Sequence, residues 1–201
     1  DIPKLRLGAS STLTRYVLLS HLENYIAHFP HVRITISCQS TYQTLHLLDE
    51  EKIDLGLIGR PQKLRGYYFH PLLKIRDTFV CTRQYLENQK KLYPDEPLIQ
   101  AATFMMLDED NITRQTVNAQ LKEHHVELSH ILEVTTMDLL IQFAEIGLGI
   151  ACVIRDFVKK ELEEGTLVEV PVGFSFPPRE IGFVCRQKDA NLDLIVPFFG
   201  D

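Results

Sequence analysis

The sequence predicts an α/β fold, on three observations. Segments whose apolar residues repeat every second position alternate with segments at helical spacing. Residues 54–59 form a short, continuously apolar strand candidate, the pattern of a strand covered on both faces. The same succession returns in the second half of the chain. Parallel strands joined by helical crossovers account for that order.

Each element has its own signal. Leu5, Leu7 and Ala9 alternate with other residues and predict a first strand. Leu18, Leu22, Tyr25, Ile26 and Phe29 recur at helical spacing, and Pro30 stops that helix. Ile34, Ile36 and Cys38 resume the period of two, and Leu45 and Leu48 belong to a second helix that Thr41 can begin. Residues 67–82 read as two consecutive strands with no helix between them, breaking near residues 74–77. There the chain leaves a first lobe. Residues 104–107 predict a strand, Val117 and Leu121 a helix, and residues 131–134 a strand. Leu140, Phe143, Ala144 and Gly147 share a helical face. Residues 150–154 follow as a strand, then residues 156–164 as a charged helix closed by Gly165. Residues 167–170 and 181–185 are the last strands, and Leu192, Ile195, Val196 and Phe199 predict a closing helix. The Pro-rich run 171–178 predicts the return crossing. The expected division is residues 1–75 with 172–201 as lobe I and residues 76–171 as lobe II.

Charge and composition exclude several function classes. The chain has 201 residues and a formal charge of −6, which argues against phosphate-backbone binding by this segment. Cys81, Cys152 and Cys185 sit in apolar runs and no CxxC occurs, so with Cys38 they read as free thiols in a reducing cytoplasm. No apolar run approaches the roughly 20 residues that span a membrane, so no membrane partner is expected. The abrupt start at Asp1-Ile2-Pro3 suggests a preceding segment. The histidines form neither HExxH nor zinc spacing with cysteines, and no metal is expected. GxSxG, P-loop and GxGxxG patterns are absent, so neither a cofactor nor an enzyme is expected.

The candidate chemistry lies at strand-to-helix junctions. Ser10, Ser11 and Thr12 follow the first strand, Ser40 and Thr41 the second, and Thr135 and Thr136 the strand ending at Val134. Asn111 and Thr113 precede the helix of Val117. Open α/β sheets bind ligands beyond their strand C-termini, where helix N-termini offer unpaired N–H groups and a positive dipole end. Hydroxyls there suit a carboxylate, sulfate or phosphate. The same residue types are also ordinary N-caps. Gly59 leaves room for a ligand, and Arg60 is placed to hold an anion bidentately or to sit solvated in its loop. Arg114, in the first turn of a helix, is a minor anion candidate.

Several stretches resemble one family. They are Leu7-Gly8, Phe29-Pro30-His31-Val32, Ile53-Asp54-Leu55-Gly56-Leu57, Ile146-Gly147-Leu148-Gly149-Ile150-Ala151, and Leu162-Glu163-Glu164-Gly165-Thr166-Leu167-Val168. In this order and spacing they resemble the effector-binding domain of LysR-type transcriptional regulators over nearly the whole chain. Val153-Ile154-Arg155 departs from the family, which often has a proline there. The resemblance implies two Rossmann-like lobes joined by a two-strand hinge, like type II periplasmic binding proteins. It implies a small effector held between the lobes by residues 10–12, 40–41, 59–60 and 135–136; the junction hydroxyls and Arg60 make an anionic metabolite the expected ligand. It further implies a dimer of this domain, a tetramer in full length, and DNA contact only through a separate N-terminal domain. A solute-binding protein of a transport system is the rival expectation.

Overall fold

The computed structural model describes residues 1–200. Leu5, Leu7 and Ala9 are buried along β1 (Lys4–Ala9), as alternation requires of a strand with a core face. A helical stretch follows at once: α1 (Ser11–Leu13), a π-helical turn (Thr14–Leu18) and α2 (Leu19–His28). Leu18, Leu22 and Tyr25 bury one side of it, whereas Leu19 and Ile26 stay exposed at 52% and 51%. The chain continues through β2 (Arg33–Cys38), α3 (Thr41–Asp49), β3 (Leu55–Gly59) and β4 (Tyr67–Ile75). Near its end it returns as β10 (Arg179–Arg186).

These strands make one sheet in the order β2-β1-β3-β10-β4. β1 runs parallel to β2 and β3, and β10 runs antiparallel to β3. The glycines of the Leu-Gly and Asp-Leu-Gly-Leu stretches have a packing reason. A Cβ on Gly8 would come within 2.7 Å of Ile53 Cδ1, and one on Gly56 within 2.8 Å of Thr44 Cγ2, so α3 lies close on the sheet. On the other face Tyr25 stacks on Phe198 at 4.5 Å and Phe198 meets Phe183 edge-on at 5.2 Å. Arg186 ties the unit's polar rim. Its Nη1 donates to the carbonyls of Leu48 (2.6 Å) and Ile53 (2.8 Å), and its Nε to Asp189 (2.7 Å). Asp54 in turn receives both Arg6 Nε and Nη2.

The expected closing helix is not α-helical. The segment forms 3₁₀ turns at Gln187–Asp189 and Val196–Phe199. Pro197 has no N–H to donate and its ring obstructs the preceding turn. Ile195 and Phe198 are buried all the same.

The second unit runs through β5 (Asp77–Cys81), α4 (Arg83–Leu92), α5 (Leu98–Ala101), β6 (Thr103–Met106) and α6 (Ile112–Glu123). It continues with β7 (His130–Glu133), α7 (Met137–Glu145), β8 (Ile150–Ile154), α8 (Lys159–Glu164) and β9 (Val168–Glu169). Its sheet has the order β7-β6-β8-β5-β9. β6 is parallel to β7 and β8, while β5 is antiparallel to β8 and β9. Phe79, Phe104, Met106, Val117, Leu121 and Cys152 share its core. The helix expected over residues 156–164 begins instead with a 3₁₀ turn, Arg155–Phe157, before α8.

The Gly-Leu-Gly stretch has two separate tasks. Gly147 (φ 81°) ends α7 in the left-handed region, its N–H donating to Ala144 O at 3.0 Å. Gly149 lets the entry to β8 pass the Thr103 carbonyl, which an added Cβ would approach to 2.7 Å. By contacts the units comprise residues 1–74 with the chain from 179 onward, and residues 75–178. Val172 and Phe176 are buried in the second unit's core, so residues 172–178, read from sequence as part of lobe I, pack with the second unit.

Candidate functional site

Parallel pairing gathers three junctions on one edge of the first unit. Ala9 pairs with Cys38 across β1 and β2, and with Leu57 across β1 and β3, so β1 and β2 end level and β3 runs two residues further along the same edge. Ser10, Ser11 and Thr12 leave from the middle strand, Ser40 and Thr41 from one neighbour, Gly59 and Arg60 from the other.

The hydroxyls there are working caps. Ser10 is extended (φ −67°, ψ 160°), and its Oγ accepts from Leu13 N at 3.1 Å. Ser40 does the same for Gln43 N at 3.2 Å. A capping hydroxyl accepts only, so its own O–H is left to donate to a ligand. One capped N–H also leaves the other first-turn amides without helical partners. Ser11 is exposed, Thr12 half-buried and Thr41 buried. The π-helical turn begins within one turn of these residues, and such turns concentrate at functional sites.

Arg60 stands at the edge but not alone. Its Nη1 donates to Glu180 at 3.2 Å and its guanidinium lies 5.5 Å from the Phe69 ring. The pair is 46% and 32% exposed, so an anionic ligand has only a weak surface ion pair to displace. Gly59 is roomy, with the nearest outside atom to an added Cβ at 3.9 Å.

Thr135 and Thr136 belong to the corresponding edge of the second unit, beyond β7. Thr136 caps α7 by accepting from Leu139 N at 3.2 Å, and Thr135 is exposed. Asn111 caps α6 through Thr113 N (2.8 Å) and Arg114 N (3.4 Å). Arg114 does not serve as an open anion site. Its side chain is 5% exposed, with Nη1 donating to Leu107 O (2.7 Å) and Nε to Asn118 (3.1 Å).

Sequence reasoning passed over two groups. Gln39 donates from Nε2 to Thr44 Oγ1 at 2.8 Å and thereby braces the second junction. Arg155, where the sequence departs from the resembled family, donates from Nε to Glu169 at 2.9 Å. Neither stands in a pattern that spacing alone distinguishes from a surface polar residue. Burial pushes the Glu169 carboxyl upward, but hydrogen bonds from Thr78 and Arg155, with the Arg155 charge, outweigh it and hold the group below its ordinary value. Among the described residues no group of three or more His, Cys, Asp or Glu is placed to hold a metal ion. No described helix is long and apolar enough to cross a membrane.

A family model, the LysR substrate binding domain, matches residues 2–198. A relative from Escherichia coli K12, the uncharacterized HTH-type transcriptional regulator YeiE, is 24% identical over 183 residues, 86% of this chain and 58% of that protein. Among solved structures, the bromide ion-bound regulatory domain of HypT from Salmonella typhimurium superposes with a TM-score of 0.77 at 16% identity, covering 99% of this chain and 92% of that one. A sulfate-bound mutant regulatory domain of OxyR2 from Vibrio vulnificus gives 0.73 at 18% identity, covering 98% and 92%. These likenesses establish the two-lobed, periplasmic-binding-protein-like fold. The chain spans a little over half the length of the curated relative, and nothing in these comparisons supports a transporter component.

Proposed function

The chain belongs to the LysR substrate binding domain family, and from that premise we propose that it senses an anionic metabolite for a transcriptional regulator, using the carboxyl edge of its first unit. The observation that carries the site is the convergence of Ser10–Thr12, Ser40–Thr41 and Gly59–Arg60 on three adjacent strand ends. First-turn amides, capping hydroxyls and one arginine there match an oxyanion. The bromide and sulfate named for two structural neighbours support that ligand chemistry. The site carries no catalysis. Binding alters regulation only to the extent that the ligand favours one arrangement of the protein over another.

The charge of −6 and the 58% coverage of an HTH-type relative support placing DNA contact in another part of the full protein. A DNA-acting regulator of this kind works in the cytoplasm. Self-association of the chain belongs to the same proposal.

Calorimetric titration with sulfate, at fixed ionic strength in chloride buffer, tests the site. Ser40→Ala and Arg60→Gln are each expected to weaken sulfate about tenfold, the worth of a charge-assisted hydrogen bond. Unchanged affinity in both variants removes this edge as the site.

A further inference from the structure

The second unit holds a pocket of about 280 Å³ that the proposed effector edge does not use. It is built on β5, β9 and the turn after β8. β7 borders the sheet at one end and β9 at the other, so the pocket lies at the far end of the sheet from Thr135 and Thr136.

Its two walls differ in chemistry. One wall is aromatic and held in place: Phe174 stacks on His124 at 4.1 Å and meets Phe176 edge-on at 4.9 Å, and Phe176 packs 5.7 Å from Phe79 in the core. The other wall is polar. Glu169 has both oxygens engaged, Oε1 by Arg155 Nε at 2.9 Å and Oε2 by Thr78 Oγ1 at 2.8 Å. That carboxylate is neutralised and has little left to offer an ammonium group. Arg76 is different. Its backbone N–H donates to Asp156 at 3.1 Å, but its guanidinium has no partner among the described residues while lining the pocket.

We propose that this pocket binds a small monocarboxylate with an apolar body, its carboxylate on Arg76 and its body against Phe174 and Phe176. A planar guanidinium matches a carboxylate bidentately. An aromatic wall next to a single free cation suits one anionic group and little further polarity. The volume falls just under the roughly 300–1,000 Å³ of sites for drug-sized molecules, so the ligand is on the order of ten non-hydrogen atoms. An amino acid fits less well, because its ammonium would enter beside Arg76 and Arg155 and find Glu169 already occupied. This proposal is independent of the effector edge.

Three probes of one shape separate these features: phenylacetate, its amide phenylacetamide, and its amino derivative phenylglycine. Each is titrated calorimetrically into the whole chain. Phenylacetate is expected to bind at least about tenfold more tightly than either relative, the margin a charge-assisted contact gives. Arg76→Gln, an exposed substitution, is expected to remove that margin while the melting temperature holds. Ser40→Ala is expected to leave phenylacetate binding unchanged. Absence of phenylacetate binding, equal binding of the amide, or full affinity in Arg76→Gln overturns the proposal. Loss in Ser40→Ala overturns it too, by placing the probe at the effector edge, and a failure of sulfate to bind there leaves this result untouched.

Discussion

Gly182 and Gly59 lie on paired strands one residue out of register, yet they meet opposite surroundings. A Cβ on Gly182 would sit 2.2 Å from the His70 carbonyl oxygen and 2.7 Å from Phe69 Cζ. The obstacle is backbone in a neighbouring strand, which cannot swing aside. Gly182→Ala is therefore expected to cost about 2–3 kcal/mol, within the range for overpacking, read as a lowered midpoint in urea. Gly59→Ala meets only Glu180 O at 3.9 Å and is expected to leave stability within about 0.5 kcal/mol. If Gly59 borders the ligand, the same change weakens sulfate binding, so stability and affinity separate at one position. Cysteines divide in the same residue-by-residue way. Burial pushes the Cys81 thiol up to about 12, and burial, with the nearby Asp189 charge, pushes Cys185 up to about 11. Cys38 is exposed at the end of β2. Since the thiolate is the reacting species, iodoacetamide is expected to label Cys38 in the native protein and Cys81 and Cys185 only after unfolding. Peptide mass spectrometry reads the order, and early labelling of Cys81 would contradict the packing described here.

At the scale of elements, the link between the start of β5, the end of β8 and β9 is ionic. Thr78, Arg155 and Glu169 join the three strands through the two Glu169 oxygens. Because Glu169 titrates below its unfolded value, its stabilising contribution is present above that value, near 4.3, and disappears as pH falls through the lower folded value. The melting temperatures of wild type and Glu169→Gln are thus expected to differ most at neutral pH and to converge as pH falls through the folded value. A constant gap would show that shape rather than charge matters there. The pair is about half exposed, so salt is expected to narrow the gap as well. Elements of this kind differ in how far the sequence announces them. β3 and β8 carry buried residues at nearly every position and were legible from their apolar runs, β1 from the alternation of Leu5, Leu7 and Ala9. α4 was not, because Tyr85 is its buried residue and, Leu86 and Leu92 apart, the rest of its sequence is polar; the Thr82 cap is its one local signal. The closing helix was misread because Leu192, Ile195, Val196 and Phe199 keep helical spacing in a segment whose proline prevents an α-helix. The junction hydroxyls were legible as caps and as a shared edge, but Glu180 against Arg60 was not, since 120 residues separate them.

At the scale of the whole molecule, the outer surface of the first unit asks for a partner. Leu19 and Ile26 lie two turns apart on one face of α2, and both stay about half exposed although Leu22 and Tyr25 of the same helix are buried. β2 is an edge strand whose Ile36 is 44% exposed. An edge strand with apolar exposure is ordinarily covered, twisted away or charged, and here Arg33 is the exposed charge it carries. We infer that a second copy of the chain covers this face. Sedimentation velocity at micromolar concentration is expected to show a dimer. Ile26→Asp and Ile36→Asp are each expected to shift it toward monomer without lowering the melting temperature of the monomer, since neither side chain is buried within the chain. Removing a half-exposed isoleucine from an interface costs about 1–2 kcal/mol, or roughly five- to thirtyfold in dimer dissociation constant for each one lost. A wild type that stays monomeric, or variants that dimerise as well as it does, would move the contact to another surface.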